Sequence, residues 1–267
     1  MPRELRDVLD YLLPDVEHDP GPRAVRSSPD GDTRSRQPAA LPVVALPIGD
    51  ADVVRAAFAW NLTVEIARLG GCAALLAPSP GEPSPLWPTP GRGPLGAELL
   101  FAKADGLGDL HRAALDVAVT RAPEAADGGL VLVRIPPHWL MHPGDGRGLL
   151  RWSLLFTSTD RRELMETYGL TKRILAAGPD ARVGITVHGA RRLAEAERAF
   201  AHVADVSRRY LRRTPTSYGL LVDDLHVYRA IVARRPIGLE KPQSPAARAL
   251  RDVARLLLAD ARKAALG

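Results

Sequence analysis

From Leu41 onward, short continuous apolar runs alternate with longer stretches whose apolar residues recur every three or four positions. The runs Val43–Leu46, Ala73–Ala77, Leu130–Ile135, Ser153–Thr157, Val183–Val187 and Tyr218–Val222 read as strands. The stretches Val53–Leu69, Asp160–Ala176, Leu193–Arg212 and Pro245–Ala265 read as helices. Strands this apolar, alternating with helices, predict a mostly parallel sheet covered on both faces. Right-handed crossovers make such a sheet a doubly wound α/β domain, with ligands outside the carboxyl ends of its strands. The Pro- and Gly-rich segment Pro78–Pro94 is expected as an irregular loop on that rim.

The first forty residues follow a different pattern. Leu5, Val8, Leu9, Leu12 and Leu13 predict a short amphipathic helix that Pro14 ends. Asp15–Ala40 is dominated by Pro, Gly, Ser, Asp and Arg and reads as a flexible linker. Two units follow: an arm over residues 1–40 and an α/β domain over residues 41–267. The helix either docks on its own domain or serves as a tethered segment that binds a partner through Leu5, Val8, Leu9 and Leu12.

Composition narrows the class. Of 267 residues, 46% are hydrophobic and 25% charged, the balance of a globular protein with an ordinary core. There is no run of 18 apolar residues to cross a bilayer, and Met1–Asp10 lacks the apolar core of a signal peptide. Cys72 is the only cysteine, which excludes an intramolecular disulfide and a cysteine-rich zinc site. A cytoplasmic location is expected. The net charge is +5, carried almost wholly by Arg. With abundant Ala, Gly and Pro, that bias resembles a GC-rich genome as much as an anionic partner.

The first strand, loop and helix, VVALPIGDADVVRAAFAWNLTVEIARLGGCAALLAPSP from Val43 to Pro80, resemble the opening of MinD/ParA ATPases. Asn61-Leu62, Gly70 and the second strand fall where that family has them. The family's phosphate loop, Gly-Lys-Gly-Gly-Val-Gly-Lys-Thr, would align with Gly49, Asp50, Ala51, Asp52, Val53, Val54, Arg55 and Ala56. A phosphate loop needs glycines so that backbone N–H groups approach the ligand, a Lys on the β- and γ-phosphates, and a hydroxyl for Mg²⁺. Asp50 and Asp52 would instead turn carboxylates toward a polyphosphate, each costing on the order of 1–4 kcal/mol. Arg55 keeps the charge of the Lys but not its shape, and Ala56 cannot ligate a metal. Ala77 and Ser79 replace the aspartates after the second strand, Arg134 replaces the Walker-B aspartate, and His188 replaces the Asn near adenine. The resemblance therefore implies a degenerate nucleotide site, with ATP and Mg²⁺ lost as cofactors and no ATPase activity.

The later half resembles the flagellar-number branch of the family, FlhG. LLFTSTDRRELMETYGLTKRI, Leu154–Ile174, matches it at Tyr168, Leu170 and Lys172. Tyr218-Gly219, Asp224 and RRPIGLEKPQSPAARAL, Arg234–Leu250, match its closing pattern, and Gly96–Leu110 its middle. The likeness spans about residues 41–250. It implies a regulatory or positioning protein working through a protein partner, such as an FlhF-like GTPase or an intact MinD-like paralogue. In that branch an N-terminal segment stimulates the GTPase; Arg3–Leu13 takes its place but lacks the usual Asp-Gln-Ala motif.

Several residues carry a bland and a sharp reading. Asp50, Asp52 and Arg134 are expected as a private salt-bridge cluster filling the altered site; the rival is an anion clamp of Arg55, Arg134 and His188. His138 and His142 stand four apart, but Pro136, Pro137 and Pro143 argue against a helical zinc site. The arginine pairs at 191–192, 208–209, 212–213 and 234–235 read as solvated faces, or as a surface for non-specific DNA in a ParA-like positioning factor. The final helix carries Leu250, Val253, Leu257 and Ala261 on one face and is expected in the core. No membrane-targeting helix follows it in the sequence, so stable lipid binding is not expected.

Overall fold

Each of the six apolar runs becomes a strand, and with two further strands they pair into one sheet in the order β3-β4-β2-β5-β1-β6-β7-β8. The strands are β1 (Val43–Pro47), β2 (Cys72–Pro78), β3 (Gly91–Arg92), β4 (Glu98–Ala102), β5 (Gly129–Ile135), β6 (Trp152–Thr157), β7 (Arg182–Ala190) and β8 (Thr216–Val222). The computed structural model describes Arg3, residues 39–79, Leu86 and residues 88–266. The predicted helix with Leu5, Val8, Leu9 and Leu12 lies outside those residues, as does most of the linker.

All neighbours pair parallel except the two-residue β3, which runs antiparallel to β4. The central strands β1 and β5 are buried on both faces, which is why their sequences do not alternate. β1 sits between β5 and β6, so the chain reverses its winding beside it and opens a crevice at the strand ends.

The helices are α1 (Val53–Arg68), α2 (Leu107–Arg121), α3 (Arg161–Ala177), α4 (Leu193–Leu211), α5 (Leu225–Ala233), α6 (Ile237–Glu240) and α7 (Pro245–Leu266). One layer packs α1 against α7 with α5 and α6 beside them; the other contains α2, α3 and α4. Helix starts are set by aspartates. Asp160 accepts the N–H groups of Arg162 and Glu163 at 2.8 and 3.4 Å, and Asp224 accepts that of His226 at 2.9 Å. Gly70, at φ +83°, ends α1 and turns the chain into β2.

α1 is buried on nearly every side, from Arg55 to Ile66, because the sheet covers one face and α7 the other. As expected for the last helix, Leu250, Val253, Leu257 and Ala261 of α7 are in the core. Among the described residues no helix is long and apolar enough to cross a membrane. The region between Pro94 and Gly129, legible only through resemblance, forms β4 and α2, tied together by an Arg121–Glu98 ion pair.

Candidate functional site

The crevice beside β1 is built by the loop that follows it. Ile48 N–H extends the strand pairing to the Ile135 carbonyl at 3.0 Å, and then the chain turns into α1. Within the turn, Asp52 N–H bonds the Gly49 carbonyl at 3.1 Å, and Val53 N–H bonds that of Ala51 at 3.1 Å. Arg55 N–H bonds the Asp52 carboxylate at 2.9 Å, and Ala56 N–H bonds the Asp52 carbonyl at 3.1 Å. Four amides at this helix start, those of Asp52, Val53, Arg55 and Ala56, are thus bonded inside the loop rather than turned to a ligand. An anion already stands at the positive end of α1, and it is the Asp52 side chain. Gly49 has no left-handed backbone, and the space where its Cβ would stand is open, so nothing here calls for glycine.

Arg55 is buried at the first turn of α1, and its guanidinium meets three carboxylates. These are Asp52 at 3.2 Å, Glu163 at 2.7 Å and Glu166 at 3.3 Å, the last two from the start of α3. Burial works against the charge of Arg55, but these acids together hold its pKa above the ordinary value. His188, near the end of β7, brings Nε2 to 3.2 Å from the same Glu163 oxygen. Its ring lies 5.5 Å from Phe58, which lies 6.0 Å from Phe156. The close approach of the His188 imidazole and of the Arg55 guanidinium pulls the Glu163 carboxyl down to about 2.

Arg134, at the end of β5 opposite Leu46 of β1, forms a separate pair. Its Nη1 donates to Asp50 Oδ1 at 2.6 Å and lies 3.5 Å from the Ile48 carbonyl. The residue is 2% exposed, whereas the Asp50 side chain is 67% exposed. The single cluster expected of Asp50, Asp52 and Arg134 is therefore two. Asp50 goes to Arg134, while Asp52 turns inward as the cap of α1 and joins Arg55. Sequence reasoning missed Glu163 and Glu166, which lie 108 and 111 positions from their partner. Their signal was present: two carboxylates three apart, on one face of the helix that leaves β6 at the crevice.

The remaining candidates are dispersed. Ala56 is buried in α1 and Ala77 in β2. The Ser79 amide and hydroxyl both donate to the Ala102 carbonyl, at 2.8 and 3.2 Å, continuing the β2–β4 pairing. Asn61 points away from the crevice: it donates to the Ala57 carbonyl at 2.8 Å and accepts Ile237 N–H at 2.8 Å, fastening α6 to α1. His138 lies in a short 3₁₀ turn and His142 caps it, so the two do not share an α-helical face. Among the described residues no group of three His, Cys, Asp or Glu could hold a metal ion.

As a receptacle for Mg²⁺ and a polyphosphate, this donor set does not fit. Four of the loop amides are bonded internally, the cation in the lysine position faces three carboxylates, and the Ala56 side chain offers no oxygen. An anion clamp of Arg55, Arg134 and His188 is not assembled: Arg55 and His188 converge on Glu163 with their charge directed at that carboxylate, while Arg134 is turned to Asp50 in a separate pair.

No family model matches this sequence, and none of the curated proteins matches it. Solved structures do match its fold. The MinD cell division protein of Aquifex aeolicus superposes with a TM-score of 0.59 over 82% of this chain and 97% of its own, at 12% identity. The MinC:MinD cell division protein complex of Aquifex aeolicus gives 0.59 over 82% and 96%, at 14% identity. The septum site-determining protein MinD of Pyrococcus horikoshii, complexed with Mg-ADP, gives 0.58 over 81% and 95%, at 12% identity. The sheet and its helices are those of the MinD-like α/β fold.

Proposed function

We propose that this chain is a non-catalytic member of the MinD-like group, a pseudo-ATPase that acts as a regulatory or positioning protein through protein partners. The observation that supports it most is the enclosure of Arg55. In the position where the resemblance expects the phosphate lysine, a buried guanidinium is held by Asp52, Glu163 and Glu166. A polyphosphate entering there would have to displace three carboxylates or sit beside them, and either is costly at low dielectric. The closed loop supports the same reading.

The motifs around Tyr168, Leu170, Lys172 and Tyr218-Gly219 favour the FlhG branch, and with it a role in flagellar number or placement. One solved neighbour is a complex of MinD with MinC, which supports a protein as the partner. The arm with Leu5, Val8, Leu9 and Leu12 is the candidate contact, toward an FlhF-like GTPase or an intact paralogue. A DNA-associated reading draws on the exposed end of α4, where Arg208, Arg209, Arg212 and Arg213 crowd together. Asp205 and Asp180 neutralise two of the four, at 2.7 and 3.0 Å, and so weaken that reading.

The test is equilibrium titration with fluorescent ATP and ADP analogues, with and without Mg²⁺. The expected result is no saturable Mg²⁺-dependent binding and no hydrolysis. Saturable binding that requires Mg²⁺ would overturn the reading.

A further inference from the structure

At the opposite end of the sheet from Arg55, the starts of β7 and β8 frame a cleft of about 550 Å³ that also takes in α3 and α7. Four cations line it, Arg3, Arg182, Arg213 and Lys263, against two carboxylates, Asp180 and Asp260. The floor is fixed by Asp260, which is 4% exposed. Its two oxygens accept Arg3 Nη2 at 2.7 Å each, and Oδ2 also accepts the Tyr218 hydroxyl at 2.7 Å. Burial and the neighbouring carboxylate push the Tyr218 phenol well above its ordinary pKa, so it stays a donor. Gly184 of β7 leaves room for the Tyr218 ring, where a Cβ would collide with it. Arg3 is held a second time, its carbonyl accepting Ser217 N–H at 2.8 Å.

The other three cations are only loosely engaged. Arg182 lies 3.4 Å from Asp260 and stacks on Trp152 at 4.8 Å, and Lys263 stands 4.0 Å from Asp260. Arg213 pairs at 3.0 Å with Asp180, whose side chain is 98% exposed, so that pair is readily exchanged in water. Two guanidinium forks and an ammonium, with donors to spare, surround a volume suited to a small metabolite. Leu175, Val183 and Pro215 supply an apolar wall.

We propose that this cleft binds a small phosphate monoester, its phosphate held by Arg182, Arg213 and Lys263 above the floor made by Arg3, Asp260 and Tyr218. The limited volume favours a compact ligand over a nucleic-acid backbone, which needs an open cationic track, and the excess of four cations over two carboxylates favours an anion.

Calorimetric titration of the full chain with inorganic phosphate, glycerol 3-phosphate and AMP at low salt tests this. The expected result is saturable binding of at least one ester, weakened at least tenfold in the double variant Arg213→Ala/Lys263→Ala. Both side chains are exposed, and an unchanged melting curve will show that the fold is intact. Absence of binding by all three probes at millimolar concentration, or equal affinity in the double variant, would overturn the proposal. ATP titrated against the double variant separates the two sites. Mg²⁺-dependent binding that persists there counts against the pseudo-ATPase reading, whereas loss of Mg²⁺-independent binding assigns the phosphate to the base cleft.

Discussion

Asp50 and Arg134 meet at 2.6 Å between the ends of adjacent strands, with signs opposite to those that the MinD/ParA resemblance leads one to expect there. The resemblance places a lysine at position 50 and an aspartate at position 134; this chain carries an acid and a base. In this chain the two positions attract, with a buried cation at position 134 paired to a largely exposed acid at position 50. A single change at either position would leave like charges in contact, so the two substitutions make sense only together.

A charge-exchange cycle follows from that geometry. Asp50→Lys alone sets two cations together and should cost about 1–2 kcal/mol, a modest figure because Asp50 is largely exposed. Combined with Arg134→Asp, the loss should shrink to about 1 kcal/mol or less. Urea unfolding of wild type, both single variants and the double variant measures the coupling; additive losses would mean that the pair is not energetically linked.

The Arg55 cluster predicts an acid-sensitive fold. The Glu163 carboxyl falls from 4.5 to about 2 in the folded chain, so the native state binds its proton less readily than the unfolded state. Its contribution is fully present above about pH 4.5 and drains away as the pH falls toward 2. Glu163→Gln should flatten the stability profile in that window and lower stability at pH 7 by about 2 kcal/mol. Thermal melts from pH 2 to 7 compare the two chains; parallel profiles would contradict the assignment.

Asn61 fastens α6 to α1 through Ile237 N–H rather than serving a ligand. Asn61→Ala leaves that buried N–H without its acceptor and should cost about 2 kcal/mol. Hydrogen exchange at the Ile237 amide should quicken in step, whereas a stability loss with an unchanged Ile237 amide would place the role of Asn61 elsewhere.

Asp260 gathers Arg3, Tyr218 and Arg182 at the base of the sheet. Asp260→Ala strands these donors and should destabilise by about 3 kcal/mol, while Tyr218→Phe, which removes one neutral donor, should cost about 1 kcal/mol. Chemical denaturation ranks the two; the reverse order would show that the tyrosine rather than the carboxylate organises the cluster.

The sequence made the scaffold legible where burial dictates pattern. The long runs of β1, β5 and β6 are apolar because both faces are covered, and capping aspartates mark where α3 and α5 begin. β3 and β4 were harder to see, since one has two residues and the other, near the sheet edge, is only partly buried. At the crevice, the pairing of Asp50 with Arg134 could be anticipated because both lie at ends of neighbouring strands. The partners of Arg55 could not, because Glu163 and Glu166 reach it only once α3 is docked. Asn61 shows the converse: its position in a motif pointed to the crevice, and its side chain serves the packing of α6 instead.

The closed turn at residues 49–56 bears on how such a protein would be controlled. When a ligand binds only the native state, stability and shape follow its concentration. A turn with four amides bonded internally and its cation already paired has little to gain from nucleotide, so on the proposed reading its state does not track the energy charge of the cell. What it signals would then depend on how much of it is present and on what occupies its other surfaces, rather than on the nucleotide pool.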